Sequence, residues 1–317
     1  VINTKFAIGC LVQWYEIEMI GDYIESLKQS LNQLENKENV RVDFTLTTNQ
    51  QLEQITDDIS MNEIEKRFTE LMYNNNFTWR ITDELITIAD YRRKFNDEYC
   101  DRTDVLIWGE SDSLLPKQMF IILDSLHHMS LRNNNSKYLT FFGTCKMWDD
   151  SWKPVEHNKF TEKPVDNKAW WGTRYQMSIE EMNEINDDVD ELDVRIVSPH
   201  KFNGCGLVIS SEVVKSGVNI PKSVFFIHED TSFMMMTNKV LGNIPQYIIK
   251  NVLLVHNREH KNKRMYIRGE DGSTLGERRQ SNNWYSVASK MSEQNCHNIF
   301  NNNYKSFTWG DVWKNIK

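Results

Sequence analysis

The chain has 317 residues, 39% of them hydrophobic and 26% charged, with a formal net charge of −8. That composition suits a globular protein with a sizeable core, in one large domain or two small ones. No stretch approaches the ~20 apolar residues of a membrane span, and the acidic balance disfavours a general polyanion-binding surface.

The chain begins with a strand-like segment, Lys5–Val12, and no charged, apolar, small-residue leader pattern stands before it. Ile17–Leu34 carries apolar residues at near-helical spacing. Val40–Thr47 alternates Val40, Val42, Phe44 and Leu46 with polar neighbours, a half-buried strand. Met61–Tyr73 reads as a helix with Ile64, Phe68 and Leu71 on one stripe, Ser60 as N-cap and Glu63 three residues on. A further helix is predicted over Thr82–Asn96.

Next, the apolar run Val105-Leu106-Ile107-Trp108 ends abruptly in Gly109-Glu110-Ser111-Asp112. Alternate residues of a strand share a face, so Glu110 and Asp112 are expected to point the same way from a strand end. Two converging carboxylates there fill a core poorly but suit a divalent cation beside a phosphate. Strand–helix–strand alternation up to this point implies an α/β fold, a mostly parallel sheet flanked by helices. Such sheets bind ligands beyond the carboxyl ends of their strands.

A helix over Lys117–Met129 and a strand over Lys137–Phe142 continue the pattern, and regularity then fails between Lys146 and Tyr175. Trp148, Trp152, Trp170 and Trp171 in that stretch either cover core or form an aromatic platform for a substrate. The acidic run Glu180–Asp193 reads as a solvated helix and loop. Asn203-Gly204-Cys205-Gly206 precedes a strand at Leu207-Val208-Ile209; its glycines either let backbone approach a ligand or shape a bulge. His228-Glu229-Asp230-Thr231 opens an apolar helix, where paired acids serve as caps or as reactive groups. Val252-Leu253-Leu254-Val255 is a strand ending in His256, and a basic segment follows through Lys261, Lys263, Arg264, Arg268, Arg278 and Arg279. In an otherwise acidic chain such a segment suits a phosphate-bearing ligand. The tail beyond Ser281 is too aromatic to be disordered and is expected to dock on the core.

The five cysteines, Cys10, Cys100, Cys145, Cys205 and Cys296, never form a C-x-x-C pair. That argues against a disulfide framework and a structural zinc site, and for a reducing cytoplasm. Runs of asparagine fit the coding bias of an AT-rich genome such as a virus's, which would make the location host cytoplasm. The motifs of Rossmann dehydrogenases, P-loop kinases, zincins and serine hydrolases are absent.

The order of these signals resembles the GT-A glycosyltransferases, especially the family 2-like inverting enzymes, over roughly residues 5 to 260. In that family the mid-sheet acids form an Asp-x-Asp motif, here Glu110-Ser111-Asp112 with Glu replacing the first Asp. The Glu-Asp motif that opens an acceptor-side helix is matched by Glu229-Asp230, and a late metal-binding histidine by His256. The resemblance implies a GT-A, Rossmann-like sheet that transfers sugar from a nucleotide-diphosphate sugar, with a UDP-sugar favoured, to an acceptor hydroxyl. It implies Mn²⁺ or Mg²⁺ held by Asp112 and His256, with Glu110 as a further ligand or near the ribose. Asp230, aided by Glu229, would be the base of an inverting displacement. Cys10 and Gln13 after the first strand, Asn49 after the second, and Arg92 or Arg93 are implied at the nucleotide. Lys261, Lys263 and Arg264 would close over the diphosphate. Trp148, Trp152, Trp170, Trp171, Gly204 and Gly206 would receive the acceptor, a glycan or a modified base in DNA.

The implied division is a catalytic domain over 1–255, with a nucleotide-sugar half 1–115 and an acceptor half 116–255, then a C-terminal extension 256–317. Two rivals stand beside this reading. A sugar nucleotidyltransferase would carry a glycine- and arginine-rich loop after its first strand, where this chain has Gly9-Cys10-Leu11-Val12-Gln13. A carbohydrate- or nucleic-acid-binding protein on a degenerate transferase fold would bind without catalysis.

Overall fold

In the computed structural model, which describes residues 1–53, 59–144, 177–198, 204–256, 283–303 and 305–316, the first strand, β1 (Phe6–Gln13), is buried along nearly its whole length. Phe6, Ile8, Cys10 and Val12 join one apolar cluster, and Ala7 and Leu11 join another, following the two-residue period of a strand. A strand that is apolar on both faces belongs in mid-sheet with a layer on each side. β1 accordingly pairs in parallel with β2 (Val40–Thr47) and β4 (Val105–Trp108), and β2 pairs in parallel with β3 (Thr78–Thr82).

Beyond β4 the sheet turns mixed. β8 (Val208–Ser210) runs antiparallel between β4 and β6 (Leu139–Thr144), and β6 pairs in parallel with the long β9 (Gln246–His256). β7 (Val194–Ile196) and β5 (Ser113–Leu114) add antiparallel pairs at opposite ends of β9. The nine-stranded sheet thus has the order β3-β2-β1-β4-β8-β6-β9-β5, with β7 beside β9. Most strands share the direction of β1, as an α/β fold with a largely parallel sheet requires.

Helices cover both faces. On one side α1 (Ile20–Asn32), α2 (Met61–Tyr73) and α4 (Met119–Arg132) bury Tyr23, Leu27, Phe68 and Phe120 against β1 and β2. On the other, α3 (Ile88–Tyr99) and α7 (Glu229–Leu241) bury Tyr91, Phe95, Phe233 and Met234 against Leu106 and Trp108. Contact between α3 and β1 is close: a Cβ at Gly9 would stand 2.5 Å from Phe95 Cδ2. The acidic run folds as α5 (Ile179–Asp187), a short α6 (Ser211–Lys215) follows β8, and no helix among the described residues is long and apolar enough to cross a membrane.

α8 (Asn283–Phe300) and α9 (Trp309–Asn315) pack Trp284, Ala288 and Val312 around Phe225. Ser292 Oγ donates to the Ile227 carbonyl and Asn295 Nδ2 to that of Ser223, both at 2.7 Å, fixing these helices on the segment that leads into α7.

One expected helix divides differently. Thr82–Asn96 is not continuous: Thr78–Thr82 forms β3, and α3 begins only at Ile88. β-branched Thr78, Ile81 and Thr82 suit a pleated surface, and Thr87 starts the helix through a reciprocal capping box with Asp90. The expected N-cap of α2 stands, with Ser60 Oγ accepting from Glu63 N, but its third buried position is Met72 rather than Leu71.

Candidate active site

β4 ends at Trp108, whose backbone is clamped on its far side: Trp108 N donates to Leu207 O at 2.9 Å, and Gly206 N donates to Trp108 O at 3.0 Å. The chain then turns, with Ser113 N and Oγ both donating to Glu110 O, and enters β5. β5 places Ser113 opposite His256, the last residue of β9. This register brings three side chains together. His256 Nε2 lies 2.9 Å from Glu110 Oε2 and 2.9 Å from Asp112 Oδ1. His256 and Asp112 are buried, and Glu110 is partly open.

The donor set is two carboxylate oxygens and an imidazole nitrogen, which suits Mn²⁺ or Mg²⁺ in hardness and type. A single N–H can serve two carboxylate oxygens only as a shared, weaker bifurcated bond, whereas a cation would satisfy both together with the nitrogen lone pair. Among the described residues His256 Nδ1 has no partner, so the ring is oriented from its Nε2 side alone. Cys205 completes a wider group: ligand atoms of Glu110, Cys205 and His256 all lie within 4.8 Å of one another.

A second cluster shares Glu110. Arg92, 1% exposed, projects from α3 and donates through Nη2 to Glu110 Oε1 at 2.8 Å and through Nη1 to Glu229 Oε1 at 2.7 Å. Its guanidinium carbon sits 4.8 Å from the Trp108 ring centroid. Burial alone would lower the Arg92 pKa, but Glu110 and Glu229 outweigh it and raise it. Glu229 is pushed up to about 7, first by burial and then by Asp230, against the pull of Arg92. Asp230, half-buried, accepts at Oδ1 from Thr231 N at 2.7 Å, a local turn that leaves Oδ2 without a hydrogen bond among the described residues. His228, just before them, holds a left-handed backbone at φ 69°, a conformation that non-glycine residues adopt at some energetic cost.

The remaining expected residues fall into three groups. Gly204 lies over the Arg92–Glu229 pair, where a Cβ would stand 2.6 Å from Arg92 Nη1 and 3.5 Å from Asp230 Cβ. Gln13 and Asn49 lie at the carboxyl ends of β1 and β2, and both are already engaged: Gln13 Nε2 reaches Ile86 O at 3.5 Å, and Asn49 Nδ2 donates to Asp83 O at 2.9 Å. Three residues need correction. Cys10 is wholly buried in the core beneath the acidic cluster, its thiol pushed up first by burial, and has no surface to offer a nucleotide. Arg93 spends its donors on the carbonyls of Ile220, Pro221 and Val224; of the adjacent arginines it is Arg92 that enters the site. Gly206 serves the backbone, with φ at 68° and a Cβ position 2.6 Å from Leu254 Cδ1. Trp148, Trp152, Trp170, Trp171, Lys261, Lys263 and Arg264 lie outside the described residues.

Sequence reasoning named Arg92 only as an alternative and gave Cys205 no role. A signal for Arg92 existed: Ala89, Arg92, Asn96 and Tyr99 form one helical stripe, and a lone charge on a stripe that faces the core needs buried partners.

No protein-family model matches the sequence, and no curated protein matches it. Solved structures do resemble the fold. The TarS fragment 1–349 from S. aureus superposes with a TM-score of 0.48 at 11% identity over 79% of this chain. This chain spans only 59% of that fragment. A mycobacterial protein gives 0.45 at 10% identity, covering 92% of this chain and 75% of its own length. The mannosyltransferase PcManGT from Pyrobaculum calidifontis, solved with GDP-Man and Mn²⁺, gives 0.50 at 9% identity, covering 96% of this chain and 66% of its own. At such identities the likeness is one of fold: this chain has the GT-A-like sheet that PcManGT also carries.

Proposed function

We propose that the chain is a metal-dependent glycosyltransferase that moves a sugar from a nucleotide-diphosphate sugar to an acceptor hydroxyl, by inverting direct displacement. The observation that carries this reading is the convergence of Glu110 Oε2 and Asp112 Oδ1 on His256 Nε2, each at 2.9 Å, at the carboxyl end of the sheet. The fold it shares with PcManGT, a mannosyltransferase solved with GDP-Man and Mn²⁺, supports the donor class.

In this reading Asp112, Glu110 and His256 hold Mn²⁺ or Mg²⁺, which when bound neutralises the charge developing on the departing diphosphate. Asp230 takes the acceptor hydroxyl proton at its free Oδ2. Arg92 spans the two halves of the reaction, gripping Glu110 on the donor side and Glu229 on the acceptor side. It thereby fixes the start of α7, and Asp230 with it, relative to the metal-binding acids. The lack of a side chain at Gly204 lets its backbone pack directly against that pair. Lys261, Lys263 and Arg264 supply positive charge for the diphosphate. The tryptophans of 148–171 stack on a sugar or base of the acceptor.

The test is a thermal-shift panel of UDP-sugars and GDP-mannose, each with and without Mn²⁺. A bound donor raises the melting temperature by an amount that grows with the logarithm of its concentration over its Kd, and we expect one donor base to do so only when Mn²⁺ is present. Stabilisation by no donor, with no sugar released from any, overturns the assignment.

A further inference from the structure

The carboxylate–imidazole centre has a neighbour that hard-cation chemistry does not require, the Cys205 thiol. Cys205 is 1% exposed, and its sulfur lies within 4.8 Å of ligand atoms on both Glu110 and His256. Ligand atoms on one tetrahedral ion with bonds of about 2.0–2.3 Å stand roughly 3.3–3.8 Å apart, so a separation as wide as 4.8 Å closes by about 1 Å on binding.

The backbone around Cys205 is held in place rather than loose. Hydrogen bonds from Gly206 N to Trp108 O and from Trp108 N to Leu207 O pin the segment just after it onto the end of β4. Glycine is needed on either side: Gly204 lies against Arg92, and Gly206 takes a positive φ against Leu254, two residues before His256. Three separate segments therefore deliver an oxygen, a sulfur and a nitrogen to one point. A buried cysteine usually acts as a small apolar side chain. Here it stands beside a carboxylate and an imidazole whose Nε2 is already shared by two acceptor-only oxygens.

We propose that Cys205 adds a sulfur ligand to the centre formed by Glu110, Asp112 and His256, so that it selects the more thiophilic Zn²⁺ and Mn²⁺ over Mg²⁺. The inference rests on the reading of this cluster as a metal centre and adds to it the class of ion selected. Thiolate favours Zn²⁺ and its chemical relatives over magnesium. On binding, the thiol proton leaves to solvent as the sulfur–metal bond forms, and no electron is transferred.

Cobalt(II) is the probe, added to the chelator-stripped 317-residue chain under reductant. The expected spectrum combines visible d–d bands with a near-ultraviolet sulfur-to-cobalt charge-transfer band. Cys205→Ser should keep the d–d bands and lose the charge-transfer band, whereas Cys10→Ser should keep both. Competition with a chromophoric chelator should show Zn²⁺ affinity falling roughly tenfold or more in Cys205→Ser, with Mg²⁺ affinity changed far less. If wild-type protein gives d–d bands without the charge-transfer band, the sulfur ligand is refuted while the metal centre stands. A charge-transfer band that survives in Cys205→Ser refutes it equally. If neither cobalt nor manganese binds the wild type, both readings fall; the wild-type spectra alone decide the matter should the variant not fold.

Discussion

Arg92 is the most exacting place to perturb this protein. It is 1% exposed, bridges Glu110 and Glu229 at 2.8 and 2.7 Å, and lies over Trp108. Arg92→Met keeps much of the volume but takes the cation away from Glu229 and one partner away from Glu110, which still faces His256. Removing one partner of a buried ion pair costs ~3–5 kcal/mol, and the lost ring contact adds to that. Taking about 4 kcal/mol and an unfolding entropy of ~2.1 cal/mol/K per residue, a chain of 317 residues should melt roughly 6 °C lower. Urea unfolding of four proteins checks the mechanism: wild type, Arg92→Met, Glu229→Gln and the double variant, all at a pH above 7 where Glu229 is ionised. If Arg92 matters because it neutralises Glu229, the double variant should lose less than the sum of the single losses, by more than ~1 kcal/mol. Losses that add to within ~0.5 kcal/mol would show that the two act independently and would refute the bridge. Arg92→Lys should recover part of the loss, because an ammonium cannot present a planar fork to two carboxylates at once.

Asp112→Asn should abolish Mn²⁺-dependent donor binding in calorimetry; unchanged binding removes Asp112 from the metal shell. Asp230→Asn should leave donor binding intact and lower transfer by ~10²–10⁴-fold, as expected on losing a general base, while near-wild-type turnover would return Asp230 to a capping role. Glu229 titrates near 7 in the folded protein against an ordinary 4.5. The folded state therefore holds its proton more tightly than the unfolded chain, and stability falls as pH rises from about 4.5 through about 7. The loss should be on the order of 3 kcal/mol and absent from Glu229→Gln, so parallel pH profiles in urea unfolding would contradict the shift. Gly206→Ala should cost about 1–3 kcal/mol through its positive φ, measured in the same way, and a neutral result would mean the turn can relax.

What could be read in advance followed from side-chain periodicity. The strand over Val40–Thr47 and the helix over Met61–Tyr73 fall at their expected bounds, because each carries a clean apolar period and, for the helix, a cap. β3 escaped because five half-exposed residues carry little periodic signal, and a strong helix follows a few residues later. Only the family resemblance, and no local pattern, linked His256 to Glu110 and Asp112; the register of β5 on β9 brings the three side chains together. The Arg92 bridge and the nearness of Cys205 depend on how α3 and the 204–206 turn pack across the sheet. No local pattern encodes that packing, and the exchange of roles between Arg92 and Arg93 is a single-residue phase of α3 that only tertiary contacts fix.

The pairing of β5 with the end of β9 has a consequence for how the protein is born. Asp112 and His256 are separated by 144 positions along the chain, and β9 is also the strand that closes onto β6, β7 and β5. During synthesis the acids emerge long before the imidazole that completes their cluster. Contacts of such long range form late because a large loop must first be closed. A nascent chain halted before β9 would thus have β1–β8 available to fold and would lack the imidazole of the proposed metal centre. On the proposed metal-binding reading, cation uptake would follow the docking of the end of β9 and so report on the closing of the longest-range pairing in the sheet.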